Sequence, residues 1–259
     1  MKVRWFSICV VAVCAASFAA ARGEEPAALH SSMQILVVTT RDWHAVDGIL
    51  QAYERQRAHT KWKAVGEQIP VVVGENGLGW GVGLASAGDE KFRKASDPVK
   101  HEGDGKSPAG IFRLSTSFGY AAEKQAGWKM PYVSLAPTVE CVDDASSKFY
   151  NRVLDRATVS PDWSSSEHML RPDALYRWGV VVDHNTDPVI PSTGSCIFLH
   201  IWSGPGQGTT GCTAMTQEHL EGVLAWLDLP KNPLLVQLPQ GQYKKLKRHW
   251  KLPELPRQR

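Results

Sequence analysis

Residues 34–39 form a compact apolar and β-branched run without polar alternation, the pattern of a strand buried on both faces. From Asp42 the spacing changes. Val46, Ile49, Leu50 and Tyr53 recur at i, i+3, i+4 and i+7, which predicts an amphipathic helix with Asp42 available as its N-cap. Beyond Thr60 the apolar runs shorten to 62–65, 69–73 and 80–84, and Asn76, Gly77 and Gly79 punctuate them, so hairpins are expected. The stretch HEGDGKSPAGIF, 101–112, reads as a turn entering a strand at 111–114. Its GKS is not a phosphate-binding loop, because Lys100 stands where the upstream glycine belongs and no long helix follows. Residues 119–171 carry Trp, Tyr, Pro and Asp with weak periodicity and are expected to wrap the core as loops and short elements.

Strand patterns resume at 178–183 and 196–202, followed by a glycine- and threonine-rich loop, SGPGQGTTGC. A helix is expected over 216–227, with Leu220, Val223, Leu224 and Leu227 on its buried face, and a last strand over 234–238. Internal repeats are absent from the sequence. The pattern therefore predicts one mainly β domain with peripheral helices over residues 33–238, after an unstructured leader at 22–32 and before a basic, solvated tail at 239–259.

Composition adds limits. A chain of 259 residues with 43% hydrophobic content can bury one large core or two small ones. Its formal charge of +3 is small, and no basic stripe interleaved with aromatics runs through its body, which argues against nucleic acid as a partner. The N-terminus is more telling. Lys2 and Arg4 precede an apolar run from Trp5 to Phe18, then Ala19, Ala20 and Ala21, before the chain turns polar at Arg22. Residues 1–21 read as a secretory signal peptide, cleaved after Ala19 or Ala21. The run is shorter than the roughly 20 residues a bilayer-spanning helix needs, so no stable membrane insertion is expected after cleavage. Val13 before Cys14 does not suit a lipoprotein.

The candidate chemistry lies at Cys212. A cysteine nucleophile needs a base or positive potential beside it and amide donors where an oxyanion forms. His200 ends a predicted strand twelve positions earlier, and the intervening loop can fold its imidazole back onto the thiol. Gly211 permits a turn that aims the amides of Thr210, Gly211 and Cys212 into one concavity, four residues before the predicted helix. Taken bare, such a pair is also compatible with a core cysteine and a surface histidine.

Context separates the two. The strand FLHIW, the glycine loop and the TTGC turn resemble the L,D-transpeptidase catalytic domain (YkuD) family, whose signature is a histidine followed, after a loop, by a Ser/Thr-x-Gly-Cys turn. GDGKSPAGIF is similar to that family's recurrent turn, and CVDD at 141–144 and RWGVVVDHN at 177–185 are similar to a bacterial subfamily; the likeness spans about 34–238. The sequence departs from the usual Ser-His-Gly-Cys turn by Thr209 and Thr210, by Ala214 in place of a polar residue, and by a shorter His-to-Cys loop. The resemblance implies a β-sandwich of two mixed sheets and a cysteine L,D-transpeptidase. Cys212 would attack the carbonyl on the L-centre of the third residue of a peptidoglycan stem peptide, terminal D-Ala would leave, and an amine or water would resolve the thioester. It also implies that a backbone carbonyl, of Ile201 or Thr209, orients the His200 ring, and that no cofactor is required.

Other residues carry two readings each. Trp202, His184 and Thr209 are candidate substrate contacts, although His184 also suits a structural role and most of the ten tryptophans suit the core. Arg152, Arg171 and Arg177 are candidate receivers of stem carboxylates. No metal is expected: neither HExxH nor paired-cysteine ligand spacing is present. After signal removal Cys141, Cys196 and Cys212 remain, an odd number in an oxidising compartment. Spacing alone does not choose among the three pairings; the catalytic setting of Cys212 favours Cys141 with Cys196. The function expected is an exported peptidoglycan L,D-transpeptidase of the periplasm or cell wall. Two alternatives stay open: an L,D-carboxypeptidase or hydrolase of the same bond, and a non-catalytic wall-binding protein.

Overall fold

The computed structural model describes residues 26–58, 60–84 and 89–256. The signal peptide expected at 1–21 lies outside the described residues. Within them the order is α1 (Ala27–Ser31), β1 (Gln34–Thr40), β2 (Asp47–Glu54), β3 (Lys63–Val72), β4 (Leu78–Trp80), β5 (Ser107–Gly119), β6 (Tyr132–Ser134), β7 (Val139–Val142), β8 (Val153–Asp155), β9 (Ser166–His168), β10 (Trp178–Val182), β11 (Phe198–Ile201), β12 (Thr213–Met215), α2 (Gln217–Trp226), β13 (Leu234–Pro239) and α3 (Gln240–Leu246).

The fold is mainly β, as expected, but its principal sheet is not one half of a sandwich. Strands β1, β2, β3, β12, β11, β10, β5 and β13 follow one another in a ring that closes where β13 pairs with β1. The seam is β5, 13 residues long, whose Gly110–Arg113 segment pairs with β13 and whose Leu114–Gly119 segment pairs with β10. A strand shared in this way joins what would otherwise be two sheets and leaves no open edge between them. β1 with β13, and β11 with β12, are parallel pairs; the other pairings in the ring are antiparallel. A separate three-stranded sheet, β8–β7–β9, forms from the stretch of weak periodicity.

Most of the barrel strands are buried because their sequences are apolar; β3 is the exception, polar and exposed until Val71 and Val72. Leu36, Val38, Ile111, Phe112, Val180, Leu199 and Val236 all lie within 1% of full burial. α2 covers the barrel with Leu220, Val223 and Leu224 inward, and Thr216 caps it by accepting the His219 amide at 3.2 Å.

Three expectations are corrected. The helix expected from Asp42 is a turn followed by β2. Asp42 does collect two amides, from His44 at 2.9 Å and Ala45 at 3.0 Å, but it closes a turn. β2 pairs with β1 in unbroken register, and the irregularity opposite Leu50 and Ala52 lies in β3, where their partners Ile69 and Val65 stand four positions apart; Leu50 and Tyr53 point to opposite faces and both are buried, so a strand covered on both sides imitates helical spacing. Gln51, opposite that irregularity, donates to the Val65 carbonyl at 2.9 Å. Second, the described part of the leader forms α1, with Leu29 fully buried.

Third, the basic tail is part of the core. Tyr243, Leu246 and Trp250, at helical spacing, are 1–2% exposed, and the lysines between them face outward. The Trp250 indole donates to Asp89 at 2.9 Å, and the Tyr53 hydroxyl donates to the Glu254 carbonyl at 3.0 Å.

The Cys141–Cys196 disulfide forms, as favoured, and fastens β7 of the small sheet to the segment entering β11 across 55 positions. Replacing both cysteines by serine is expected to lower unfolding stability by about 4 kcal/mol on the chain-entropy account. Denaturant melts of the oxidised and variant proteins would coincide if the bridge contributes nothing. Trp250→Ala should cost about 3 to 5 kcal/mol, the range for emptying a buried tryptophan site; a melting temperature equal to that of the parent would show that the C-terminal segment is dispensable.

Candidate active site

Cys212 directly precedes β12, and His200 sits on the parallel neighbour β11, in register with Ala214. The register sets Phe198 opposite Cys212, so His200 stands two positions further along β11 on the same face of the sheet. The turn before the sulfur is held from below. The Cys212 carbonyl accepts two hydroxyls, Ser107 Oγ at 2.7 Å and Thr209 Oγ1 at 2.6 Å, and Thr209 Oγ1 also accepts the Gly211 amide at 3.1 Å. The Thr209 backbone is bound at both ends, donating to the Val73 carbonyl and accepting the Glu75 amide. Gly211 suits the turn by its backbone, at φ +157°, and a Cβ there would press tightly, 3.2 Å from the Lys106 carbonyl oxygen and 3.3 Å from Ile197.

The sulfur is enclosed. Cys212 is 5% exposed and packs with Phe118, Met169, Tyr176, Cys196 and Phe198. Its Sγ accepts the Phe198 amide at 3.3 Å and lies 3.5 Å from the Cys196 carbonyl oxygen. Burial pushes the thiol up to about 12, and the charge of Glu167 adds to this. The Phe198 amide, the Lys100 ammonium and the Tyr176 hydroxyl act the other way, favouring the thiolate.

His200, 6% exposed, has Nδ1 at 2.7 Å from the Ile201 carbonyl oxygen. Nδ1 therefore carries the proton, which leaves Nε2 as a lone-pair acceptor. Of the two carbonyls considered from the sequence, Ile201 makes this contact. Burial pushes the imidazole down to about 4, so both groups rest neutral.

The other sequence candidates disperse. His184 is buried behind the turn, its Nε2 3.0 Å from the Thr193 carbonyl oxygen and its ring edge-on to Phe112. Gly194 packs between His184 and Lys100, and it is Lys100 that backs Gly211. Thr209 uses its hydroxyl within the turn, Thr210 is exposed beside it, and Trp202 is half-buried just past β11. Arg152 and Arg177 are exposed, whereas Arg171 stacks over the Tyr176 ring at 5.1 Å and binds Asp173.

Sequence reasoning missed Lys100, Tyr176 and Glu167. Lys100 is 3% exposed, its ammonium 2.6 Å from Asp104 and 2.8 Å from the His101 carbonyl oxygen. Lys100 and Asp104 meet across a turn and not along a helix, so their spacing gave no warning of the contact. Glu167 sits in the stretch of weak periodicity and Tyr176 in the short segment between it and the strand pattern at 178–183, and neither offered a signal. Among the described residues no group of three His, Cys, Asp or Glu side chains is placed to hold a metal ion, and no helix is long and apolar enough to cross a membrane.

The arrangement offers a soft nucleophile, an imidazole with a free lone pair, and a turn of backbone amides, the parts of an acyl-transfer site. Comparison with known proteins agrees in kind. No curated protein is significantly similar to the chain. A search of solved structures finds Bdellovibrio bacteriovorus Bd1075, at 14% identity and a TM-score of 0.38, the match covering 85% of this chain and 54% of that one. The chain thus spans about half that protein's length, a likeness that says nothing about activity. The family model for the L,D-transpeptidase catalytic domain, YkuD, matches residues 49–236, most of the chain and every strand of the ring but β1. The chain belongs to the L,D-transpeptidase catalytic domain (YkuD) family.

Proposed function

We propose that this protein is an exported cysteine L,D-transpeptidase that forms or remodels peptidoglycan stem-peptide linkages through a thioester on Cys212. The observation that carries the reading is the parallel pairing of β11 and β12, which puts His200 and Cys212 two register positions apart on one face, with Nδ1 of the imidazole pinned to Ile201 so that Nε2 is the acceptor. Family membership supplies the substrate class, stem peptides of peptidoglycan. The apolar leader at 1–21 supports action in the periplasm or cell wall.

In the acylation step His200 Nε2 takes the thiol proton and Cys212 Sγ attacks the carbonyl carbon of the third stem residue. The C–S bond forms as the carbonyl becomes an oxyanion facing the turn's amides. The Gly211 amide is drawn to Thr209 Oγ1, so the oxyanion falls to the neighbouring amides of Thr210 and Cys212. Collapse breaks the C–N bond, and the protonated His200 gives its proton to the departing D-Ala amine. An amine of a second stem then displaces Cys212 to give a cross-link, or water does so to give a tripeptide.

Since thiol and imidazole rest neutral, the ion pair arises only with substrate in place. A site that holds a dry thiol until then is protected from stray electrophiles.

Incubation of the mature protein with purified disaccharide tetrapeptide should give a thioester adduct by intact mass spectrometry, with D-Ala released, and Cys212→Ala should give neither. The absence of adduct and product across several stem peptides, with binding retained, would favour the wall-binding alternative. A dimer product marks transfer and a tripeptide product marks hydrolysis. His200→Gln should slow thioester formation by about 10² to 10⁴, the usual worth of a positioned base. With the imidazole near 4, the wild-type acylation rate should hold as pH falls from 7 to 5 and drop only near pH 4; a midpoint at an ordinary histidine value would show that another group is the base.

A further inference from the structure

Glu167 and Tyr176 touch the site, and the acylation step above leaves them unused. Tyr176, 3% exposed, stands edge-on to the His200 ring with centroids 5.1 Å apart, and its hydroxyl faces the Cys212 sulfur. The same hydroxyl donates at 2.5 Å to Oε1 of Glu167 on β9. Cys212 is only 5% exposed, whereas the Glu167 side chain keeps 26% of its surface and is the more accessible of the two.

The charge of Glu167 is only partly balanced. Arg171 Nη1 comes within 3.6 Å of Oε1, too far for a hydrogen bond, because Nε and Nη2 of the same guanidinium are held by Asp173 at 3.1 and 2.8 Å. Asp143 adds negative charge nearby, and burial raises the Glu167 carboxyl above its ordinary range. A carboxylate so placed also works against the nucleophile, since its charge opposes ionisation of Cys212. A cysteine enzyme gains from such a neighbour if a cation arrives with the substrate and cancels the opposing field.

We propose that Glu167, positioned by the Tyr176 hydroxyl, receives the ammonium group of an amine-bearing substrate at the mouth of the Cys212 site. The inference rests on Cys212 being the nucleophile. The ammonium donates hydrogen bonds to the carboxylate, no covalent bond changes at Glu167, and the thiol ionises more readily while the cation stays. A neutral amide of similar size leaves the field in place. The ammonium belongs either to the acyl donor or to the acyl acceptor, and both share this chemistry.

Alkylation of Cys212 by iodoacetamide, followed by intact mass at neutral pH, reads the thiolate directly. Glycinamide should accelerate it several-fold in the wild-type protein, whereas acetamide, or sodium chloride at equal ionic strength, should not. Glu167→Gln should alkylate about tenfold faster than wild type, one pKa unit's worth, and ignore glycinamide. Glu167→Asp should restore part of the glycinamide response, which a packing role alone would not. Tyr176→Phe, which keeps the carboxylate but frees it, should weaken the response and guards against misfolding of the glutamate variants.

With disaccharide tetrapeptide, a donor ammonium predicts an about tenfold higher half-saturating concentration for thioester formation in Glu167→Gln, at a limiting rate within about twofold of wild type. An acceptor ammonium predicts thioester formation faster in Glu167→Gln than in wild type, in step with its alkylation, and about tenfold slower aminolysis. Wild-type indifference to glycinamide, or a wild-type alkylation rate in Glu167→Gln, overturns the proposal. Should no thioester form with any stem peptide, the transpeptidase reading falls while the alkylation result still decides this one.

Discussion

The Cys212 carbonyl oxygen, held at once by the hydroxyls of Ser107 and Thr209, is the contact on which the site depends. It ties the start of β5 to the end of the glycine-rich loop where that loop enters β12, two segments about a hundred residues apart in sequence. Ser107 Oγ also accepts the Gly74 amide at 2.8 Å, so the end of β3 joins the same knot. Two hydroxyls on one carbonyl, Ser107 buried and Thr209 half-buried, fix where the following strand begins, and with it where the sulfur points. Because each partner would be left unsatisfied in a dry environment if the others moved, the turn is over-determined rather than merely tolerated.

The closed ring serves that knot. β11 and β12 are short, four and three residues, and could not hold a parallel pair by themselves. Their neighbours β10 and β3 continue around to β5 and β13, so a few backbone hydrogen bonds at the site draw on the rigidity of the whole barrel. The small sheet β8–β7–β9 closes the other side. It is fastened by the disulfide and by Asn151, whose amide nitrogen donates to the carbonyls of His184 and Asn185 while its oxygen accepts the Cys196 amide. The result is a thiol shut between an apolar cluster and a backbone amide, with Lys100 on one side and Glu167 on the other as opposed charges. Electrostatics of this kind are strong because water is excluded, and they make the state of the sulfur depend on what else enters.

Much of this was legible in one dimension where composition and physics coincide. The runs that became β1, β10, β11 and β13 are apolar on both faces, and no other environment suits such segments in a soluble domain. α2 was equally plain, with a capping threonine and a stripe of leucines. The small sheet had no such signature: β8 and β9 have three residues each, too few for any period, and their pairing is decided by contacts with β7. β2 misled because burial on both faces gives a strand the spacing of a helix, and the C-terminal segment misled because its run of basic residues masks the buried Tyr243, Leu246, Trp250 and Leu252 that anchor it.

The sequence by itself determined the chemical inventory: a lone cysteine after a glycine turn, a histidine at the end of an apolar strand, and two further cysteines able to pair. Those follow from residue type and local spacing, which the chain carries wherever it folds. Tertiary structure alone decided that the ring closes, that Ile201 pins the imidazole, and that Glu167, Tyr176 and Lys100 surround the sulfur. Each of these depends on burial and on distances between segments far apart in sequence, and neither exists until the core has formed.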